Sequence, residues 1–446
     1  MRKNLTQQPG LVPQAIDHPR ARELARISQI LDKLPKAAEW VVGDLAKGAK
    51  ATKVGRTGMS GEQVLRTLVL KQMHEWSYDE LTFHLADSPT YRAFCHIGMM
   101  DEGPKRSTLA DNIKRVKPDT MEQINRLIVG KAKRDGVEDG KRSRIDSTVI
   151  DSNIHHPLDS NLLFDVVRVL TRIMRDGAQE STQLKYSNHT KRAKRRMLSI
   201  LNARNEAERA PLYHELVKIT YWTMAYAKKN AAVLATLASM SAWAMSEMLK
   251  HYLELGAKVV NQTERRVFQG EYVPATEKIV SIFEPHTDVI VKDRRQTLYG
   301  HKVFLNVGAS GMVLDILMER GNPADATRAV NMIERHREVM GRVPEQVALD
   351  AGFTSKANIE NLGQLGVKEA SFAKKGSIEV MGGVSNPKQH KKLQRFRAGV
   401  EGIISFAKRC FGFDRCLWRG YSSFQAYAWA SVVSANLLLL ARRTIS

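Results

Sequence analysis

The sequence predicts an α/β chain: a mixed sheet with helices on both faces, a helical region ahead of it and a large helical block set into it. Three observations carry this. Strand-period segments occur at 141–150 and again from about 279 to 372. Between them, apolar residues recur at helical spacing to about 257. With that block set aside, the remaining elements read as a run of strands followed by alternating helices and strands, an order that packs as an α/β layer structure.

The N-terminal part, with Pro9, Pro13, Pro19 and Pro35, admits two short helices near 20–33 and 36–48. Ser60 caps a helix over GEQVLRTLVLKQMHEW, in which Val64, Leu65, Leu68 and Met73 form a stripe. Ser77 opens a second helix, Pro89-Thr90-Tyr91 interrupts, and Ser107 or Thr108 caps LADNIKRV. Short helices with tight breaks over 60–135 suit either a helix-turn-helix-like DNA-binding module or a plain bundle. KRSRIDSTVI then alternates as a strand. DSNLLFDVVRVLTRIM follows as an amphipathic helix with Asp159 or Ser160 as its cap. Later strands are IVSIFE, TDVIVKD, HKVFLNVGA, GMVLDILME, QVALD and VKEASF. Helices are expected over ATRAVNMIERHREVM, SKANIENLGQLG and VEGIISFAKRCF, with a basic loop at 374–397.

Composition narrows the partner. The 446 residues hold 69 Lys+Arg against 47 Asp+Glu, a formal net charge of +22. Such a surface repels itself unless a polyanion neutralises it, and nucleic acid is the usual one. Hydrophobic residues at 43 % exclude disorder for most of the chain. Three cysteines without a CxxC pair exclude a disulfide scaffold and a zinc finger, and suit a reducing cytoplasm. The N-terminus has no apolar signal core. Phe424 to Ala441 could just span a bilayer, but Gln425, Ser431, Ser434 and Asn436 favour a buried helix, so no membrane association is expected.

The chemistry points to acids. Asp146 lies inside a strand, where carboxylates are depleted. Asp350 ends a strand, where α/β sheets bind ligands, and Gly352 allows close approach; a turn-capping role is the competing reading. Arg397, Glu401 and Lys408 are spaced by four and seven, which puts them within about 40° on one helix face. Such a face is either a phosphate-and-metal surface or a solvated salt-bridge row. Asp315 and Glu369 compete for the second and third acid but lack a neighbour like Gly352. Two basic runs stand out: Lys191, Arg192, Lys194, Arg195 and Arg196, and the 374–397 segment with Lys391, Lys392 and Arg395.

These residues resemble the DDE-type transposases of bacterial insertion sequences. RFRAGVEGIISFAKR is similar to their Arg-x3-Glu-x6-Lys signature at Arg397, Glu401 and Lys408. IDSTVIDSNI and VALDAGF resemble the first- and second-Asp strands, giving Asp146 and Asp350. GEQVLRTLVLKQM with SYDELTFHLADS resembles the N-terminal DNA-binding region, and IHHPLDSNLLFDVVRVLTR resembles the ISNCY group. Gln394 stands where the signature usually has tyrosine. The helical block also precedes the second strand, whereas better-known relatives carry their insertion later.

The resemblance implies a ribonuclease-H-like catalytic domain at 136–154 and 276–446, interrupted by a helical insertion at 155–275. An N-terminal segment at 1–59 and a DNA-binding domain at 60–135 precede it. It implies that Asp146, Asp350 and Glu401 bind two Mg²⁺ ions, with Mn²⁺ as the alternative, which three acids without a His/Cys cluster suit. Arg397, Lys408 and the two basic runs then hold phosphates. Implied partners are double-stranded DNA, at element ends and target, and a second copy in a synaptic dimer. The expected activity is strand cleavage and transfer in the cytoplasm, on nucleoid DNA. A nuclease without strand transfer and a non-catalytic DNA-binding derivative are the alternatives.

Overall fold

The computed structural model describes residues 17–47, 58–98, 100–292, 296–374, 376 and 378–443. It divides into two units, Met1–Asp151 with His301–Ser446 and Ser152–Gly300.

The first unit opens with seven helices: α1 (Pro19–Asp32), α2 (Pro35–Ala46), α3 (Gly61–His74), α4 (Tyr78–Asp87), α5 (Pro89–Phe94), α6 (Arg106–Ile113) and α7 (Pro118–Arg134). Ser60 and Ser77 each close a capping box, with Gln63 and Glu80 answering the cap backbone. Pro89 starts α5 instead of breaking a helix, because its missing N–H is one the first turn leaves unbonded anyway. The expected cap at Ser107 or Thr108 is wrong: both lie inside α6, whose cap residue is Lys105. Strand β1 (Arg142–Ser152) follows, buried on both faces as a central strand must be.

The second unit packs α8 (Asp159–Gly177), α9 (Thr190–Asn202), α10 (Glu206–Thr236) and α11 (Met240–Thr263) around Leu163, Val166, Leu170, Leu216, Ile219 and Val259. Neither Asp159 nor Ser160 caps α8; Leu158 holds that position, and Asp159 accepts from Gln262 and Arg266. IVSIFE is not a strand. Gln262 takes both backbone groups of Ile279, at 2.9 and 3.1 Å, and Ser281 Oγ accepts from the Phe283 and Glu284 amides. Side chains thus satisfy a backbone that a sheet would otherwise have to pair. Strand β2 (Asp288–Lys292) pairs antiparallel with the start of β3 (Gln296–Gly308).

From His301 the chain is again in the first unit. It runs through the rest of β3, β4 (Val313–Met318), α12 (Ala329–Met340), β5 (Gln346–Leu349), α13 (Lys356–Gln364) and β6 (Glu369–Phe372). Helix α14 (Pro387–Phe411), β7 (Arg415–Cys416) and α15 (Tyr421–Arg443) complete it. The sheet of this unit is ordered β3-β1-β5-β6, with β4 antiparallel to β3 and β7 on β1. β1, β5 and β6 are parallel, with α12, α13 and α14 as their connecting and covering helices. The basic loop expected at 374–397 ends at Asn386, which caps α14; Lys388, Lys391, Lys392, Arg395 and Arg397 are helical. Lys375 lies outside the described residues.

α15 is apolar enough to cross a membrane by composition, yet it is buried against α1, α3, α7 and β4. Its polar residues explain why. Asn436 accepts from the Val313 amide at 2.9 Å and donates to Asn125 Oδ1 and the Val313 carbonyl. Gln72 donates to Ser431 Oγ at 2.8 Å. One apolar core therefore joins the N-terminal helices to the sheet through α15.

His336 on α12 carries a test of this packing. Its Nε2 donates to the Gly140 carbonyl, so Nδ1 accepts from Asn306 Nδ2, both at 3.0 Å, and the ring is neutral. Burial pushes its pKa down to about 4. The unfolded chain therefore binds a proton below about pH 6.5 that the fold refuses. Stability is full above that pH and falls as pH drops towards 4, by on the order of 3 kcal/mol. Melting midpoints between pH 7 and 4 should fall, and fall less in His336→Gln.

Candidate active site

Parallel pairing builds the site. β1 and β5 run in register from Arg142↔Gln346 to Ile145↔Leu349. The next step puts Asp146 beside Asp350, on strands about 4.8 Å apart. Asp350 occupies the cap position of the short turn Ala351–Phe353, but its side chain makes no capping bond. The turn-cap reading therefore does not account for it. Its carboxylate instead faces Arg397.

Helix α14 brings the third acid. Arg144 of β1 donates to the Phe396 carbonyl at 2.9 Å and lies over the Phe396 ring. A Cβ at Gly399 would meet that guanidinium, so glycine there leaves room for Arg144 against the helix. Arg397 then reaches all three acids. Its Nη1 is 3.2 Å from Asp146 and 3.1 Å from Asp350, and Nη2 is 3.4 Å from Glu401. Asp146 is nearly buried, Asp350 partly open, and Glu401 70 % exposed. Glu401 is thus the acid with most freedom to move.

The electrostatics ask for cations. Burial is the largest cause that raises the Asp146 pKa to about 6; Asp350 and Asp325 add repulsion, while the Ser147 amide and Arg397 oppose it. Asp325, missed in the sequence, accepts from Ser147 Oγ at 3.1 Å and pairs with Lys302 at 2.9 Å. Four carboxylates (Asp146, Asp325, Asp350, Glu401) face two cations (Lys302, Arg397), leaving two formal negative charges unbalanced. An all-oxygen donor set with that deficit has the chemistry a hard divalent ion selects; with Arg397 among them, the oxygens of Asp146, Asp350 and Glu401 do not all lie within 4.8 Å of one another. The Arg397 guanidinium is the stand-in cation that bridges the acids.

Other expected residues fall elsewhere. Lys408 donates to the Val149 carbonyl and pairs with Asp414, each at 3.1 Å, further along β1. Lys391, Lys392 and Arg395 are exposed on the N-terminal half of α14. Gln394 donates to Ser371 Oγ of β6 at 2.9 Å. In the second unit, Arg192 and Arg196 both pair with Glu215, while Lys191, Lys194 and Arg195 are exposed. Asp315 is fully buried against Arg335, a structural ion pair. Among the described residues, the carboxylate–histidine set close enough to share one ligand is Asp32, Glu62 and His96. Arg66 already lies between its acids, at 2.5 Å from Asp32 and 3.1 Å from Glu62, so that cluster is an ion-pair network.

Comparison with known proteins finds transposase domains over two segments of the chain. A family model described as a transposase DDE domain matches residues 278–437, which include Asp350, Arg397, Glu401 and Lys408. A model described as a transposase domain matches residues 14–115, across α1 to α6. The uncharacterized protein ORF8 in the nfe locus of Rhizobium meliloti is 28 % identical over 181 residues, covering 40 % of this chain and 87 % of that protein. No solved structure matches. The mixed sheet, with its parallel β1-β5-β6 part and carboxylates at the strand ends, fits the ribonuclease-H-like fold, and the matched domains define a transposase. Together the two matched models, over 14–115 and 278–437, indicate a DDE transposase of an insertion sequence.

Proposed function

We propose that the chain binds the terminal inverted repeats of its element and cleaves and transfers DNA strands at Asp146, Asp350 and Glu401. The observation that carries this reading is the convergence of all three acids on Arg397. Two Mg²⁺ or Mn²⁺ ions held by these carboxylates would supply an activated oxygen nucleophile and charge neutralisation at the leaving oxygen. The protein's own groups then have defined tasks. Asp146 and Asp350 are fixed by adjacent parallel strands, and exposed Glu401 closes the site from α14. Arg397, relieved of the acids, turns to a phosphate, and Lys408 holds the duplex further along β1. Hydrolysis at the element end frees a 3′ hydroxyl, which then displaces a 3′ oxygen in target DNA.

DNA-contacting surfaces follow the charge. Lys391, Lys392 and Arg395 precede Arg397 on α14, and Lys191, Lys194 and Arg195 form the exposed part of the run on α9. Exposed Lys105, Arg106, Lys114, Arg115 and Lys117 surround α6, which supports repeat recognition within 60–135. The IHHPLDSNLLFDVVRVLTR run supports the ISNCY group, with 155–275 as a helical insertion. The protein acts as a synaptic dimer on nucleoid DNA in the cytoplasm.

Joining of pre-nicked element ends to a target plasmid in Mg²⁺ tests the reading. Joined products are expected; nicks without joining would indicate a nuclease, and neither product a DNA-binding derivative. Removing Lys391, Lys392 or Arg395 should weaken binding equally for all sequences. Each loss of a phosphate contact should reduce the slope of log affinity against log salt by about 0.9.

A further inference from the structure

Asp325 sits in the turn Asp325–Arg328 ahead of α12, outside every motif that marks the triad. Three independent contacts surround its carboxylate. Oδ2 accepts from Ser147 Oγ at 3.1 Å, on the residue that follows Asp146. Oδ1 takes Lys302 Nζ at 2.9 Å, and Lys302 is itself fixed by the Pro323 carbonyl at 3.0 Å. The third contact is an absence of atoms: a Cβ at Gly352, two residues after Asp350, would collide with Asp325 Oδ2. Gly352 has no left-handed φ. Backbone freedom is therefore not what requires a glycine there; space is.

The carboxylate of Asp325 thus fills the gap between Ser147 on β1 and the turn behind Asp350. The Ser147 amide donates to Asp146 Oδ1 at 2.7 Å, so any shift of Ser147 turns Asp146 as well. Lys302 balances the Asp325 charge, and both side chains are only 16 % exposed. We propose that Asp325, clamped by Lys302 and seated in the room left by Gly352, is a positioning residue that sets the separation of Asp146 and Asp350. It acts through hydrogen bonds and contact, not as a ligand. This inference rests on the reading of Asp146 and Asp350 as metal ligands.

The test is Mn²⁺ affinity of the full chain, measured by calorimetry without DNA, with melting curves confirming that each variant folds. Asp325→Ala should weaken Mn²⁺ binding about tenfold or more, as loss of a supporting contact to a metal ligand does. Asp325→Asn keeps the shape, with its amide Nδ2 donating to Ser147 Oγ in place of the accepting Oδ2 and its Oδ1 still accepting from Lys302 Nζ, so it should stay within about threefold of wild type. Gly352→Ala should match Asp325→Ala, and the double variant should be no worse than either, because both remove the same contact. Additive losses at 325 and 352 overturn the proposal. So does Asp325→Asn binding as weakly as Asp325→Ala, which would mark a charged ligand. Asp350→Asn controls for the site reading: unaltered Mn²⁺ affinity there removes that reading and this proposal with it. Loss at Asp350→Asn with additive 325 and 352 effects removes the proposal alone.

Discussion

Asp350→Asn is expected to reduce strand cleavage about 10³-fold while duplex binding stays within about twofold of wild type. Asp146→Asn and Glu401→Gln should behave alike. The size follows from what each substitution removes. An amide keeps the shape of the carboxylate but loses one negative charge from a set in which two charges exceed the nearby cations. A hard divalent ion selects charged oxygen, so the loss falls on the chemical step. Binding responds in the opposite sense, because one fewer acid repels the phosphate backbone. Cleavage assays in Mg²⁺, paired with duplex-binding isotherms at fixed salt, separate the two. Near-normal cleavage by any one of the three variants would remove that residue from the reaction.

The sequence made some of this site visible for a physical reason. An acid inside a strand and an acid at a strand end are both costly enough to be noticed, and a fixed helical spacing joined Arg397 to Glu401. Asp325 carried no such mark. It lies in a non-periodic turn, and its role depends on a parallel register and on the space at Gly352. That glycine drew attention as room for a ligand, and the occupant is a side chain of the same chain. The start of α14 was hidden for another reason. Its first turns hold few apolar residues, Leu393 and Phe396 among them, so no stripe announced a helix. Lys, Gln, Arg and Leu are nevertheless good helix formers, and Asn386-Pro387 is a start signal that propensity could have used. IVSIFE failed the other way. Its apolar, β-branched residues have strand character, but Gln262 satisfies the backbone of Ile279.

Arg66→Ala should lower the melting midpoint of the protein by about 5–10 °C, the second large effect expected. Arg66 on α3 is fully buried, yet it is bonded throughout. It donates to Ser28 Oγ at 2.8 Å, the Phe94 carbonyl at 2.9 Å, Asp32 at 2.5 Å and Glu62 at 3.1 Å. One guanidinium thereby ties α1, α3 and the end of α5 together. Its removal strands two part-buried carboxylates against each other, with only His96 beside Glu62 at 3.2 Å. A cut ion pair of this kind costs about 3 kcal/mol, the low end for buried pairs, because the remaining carboxylates lose their partner while staying 27 % and 21 % exposed. The same variant settles how Asp32, Glu62 and His96 are used. If Arg66 is their cation, a chelator leaves the wild-type midpoint unchanged and Arg66→Ala lowers it. A midpoint that falls on chelation in wild type would instead make those three residues a structural metal site.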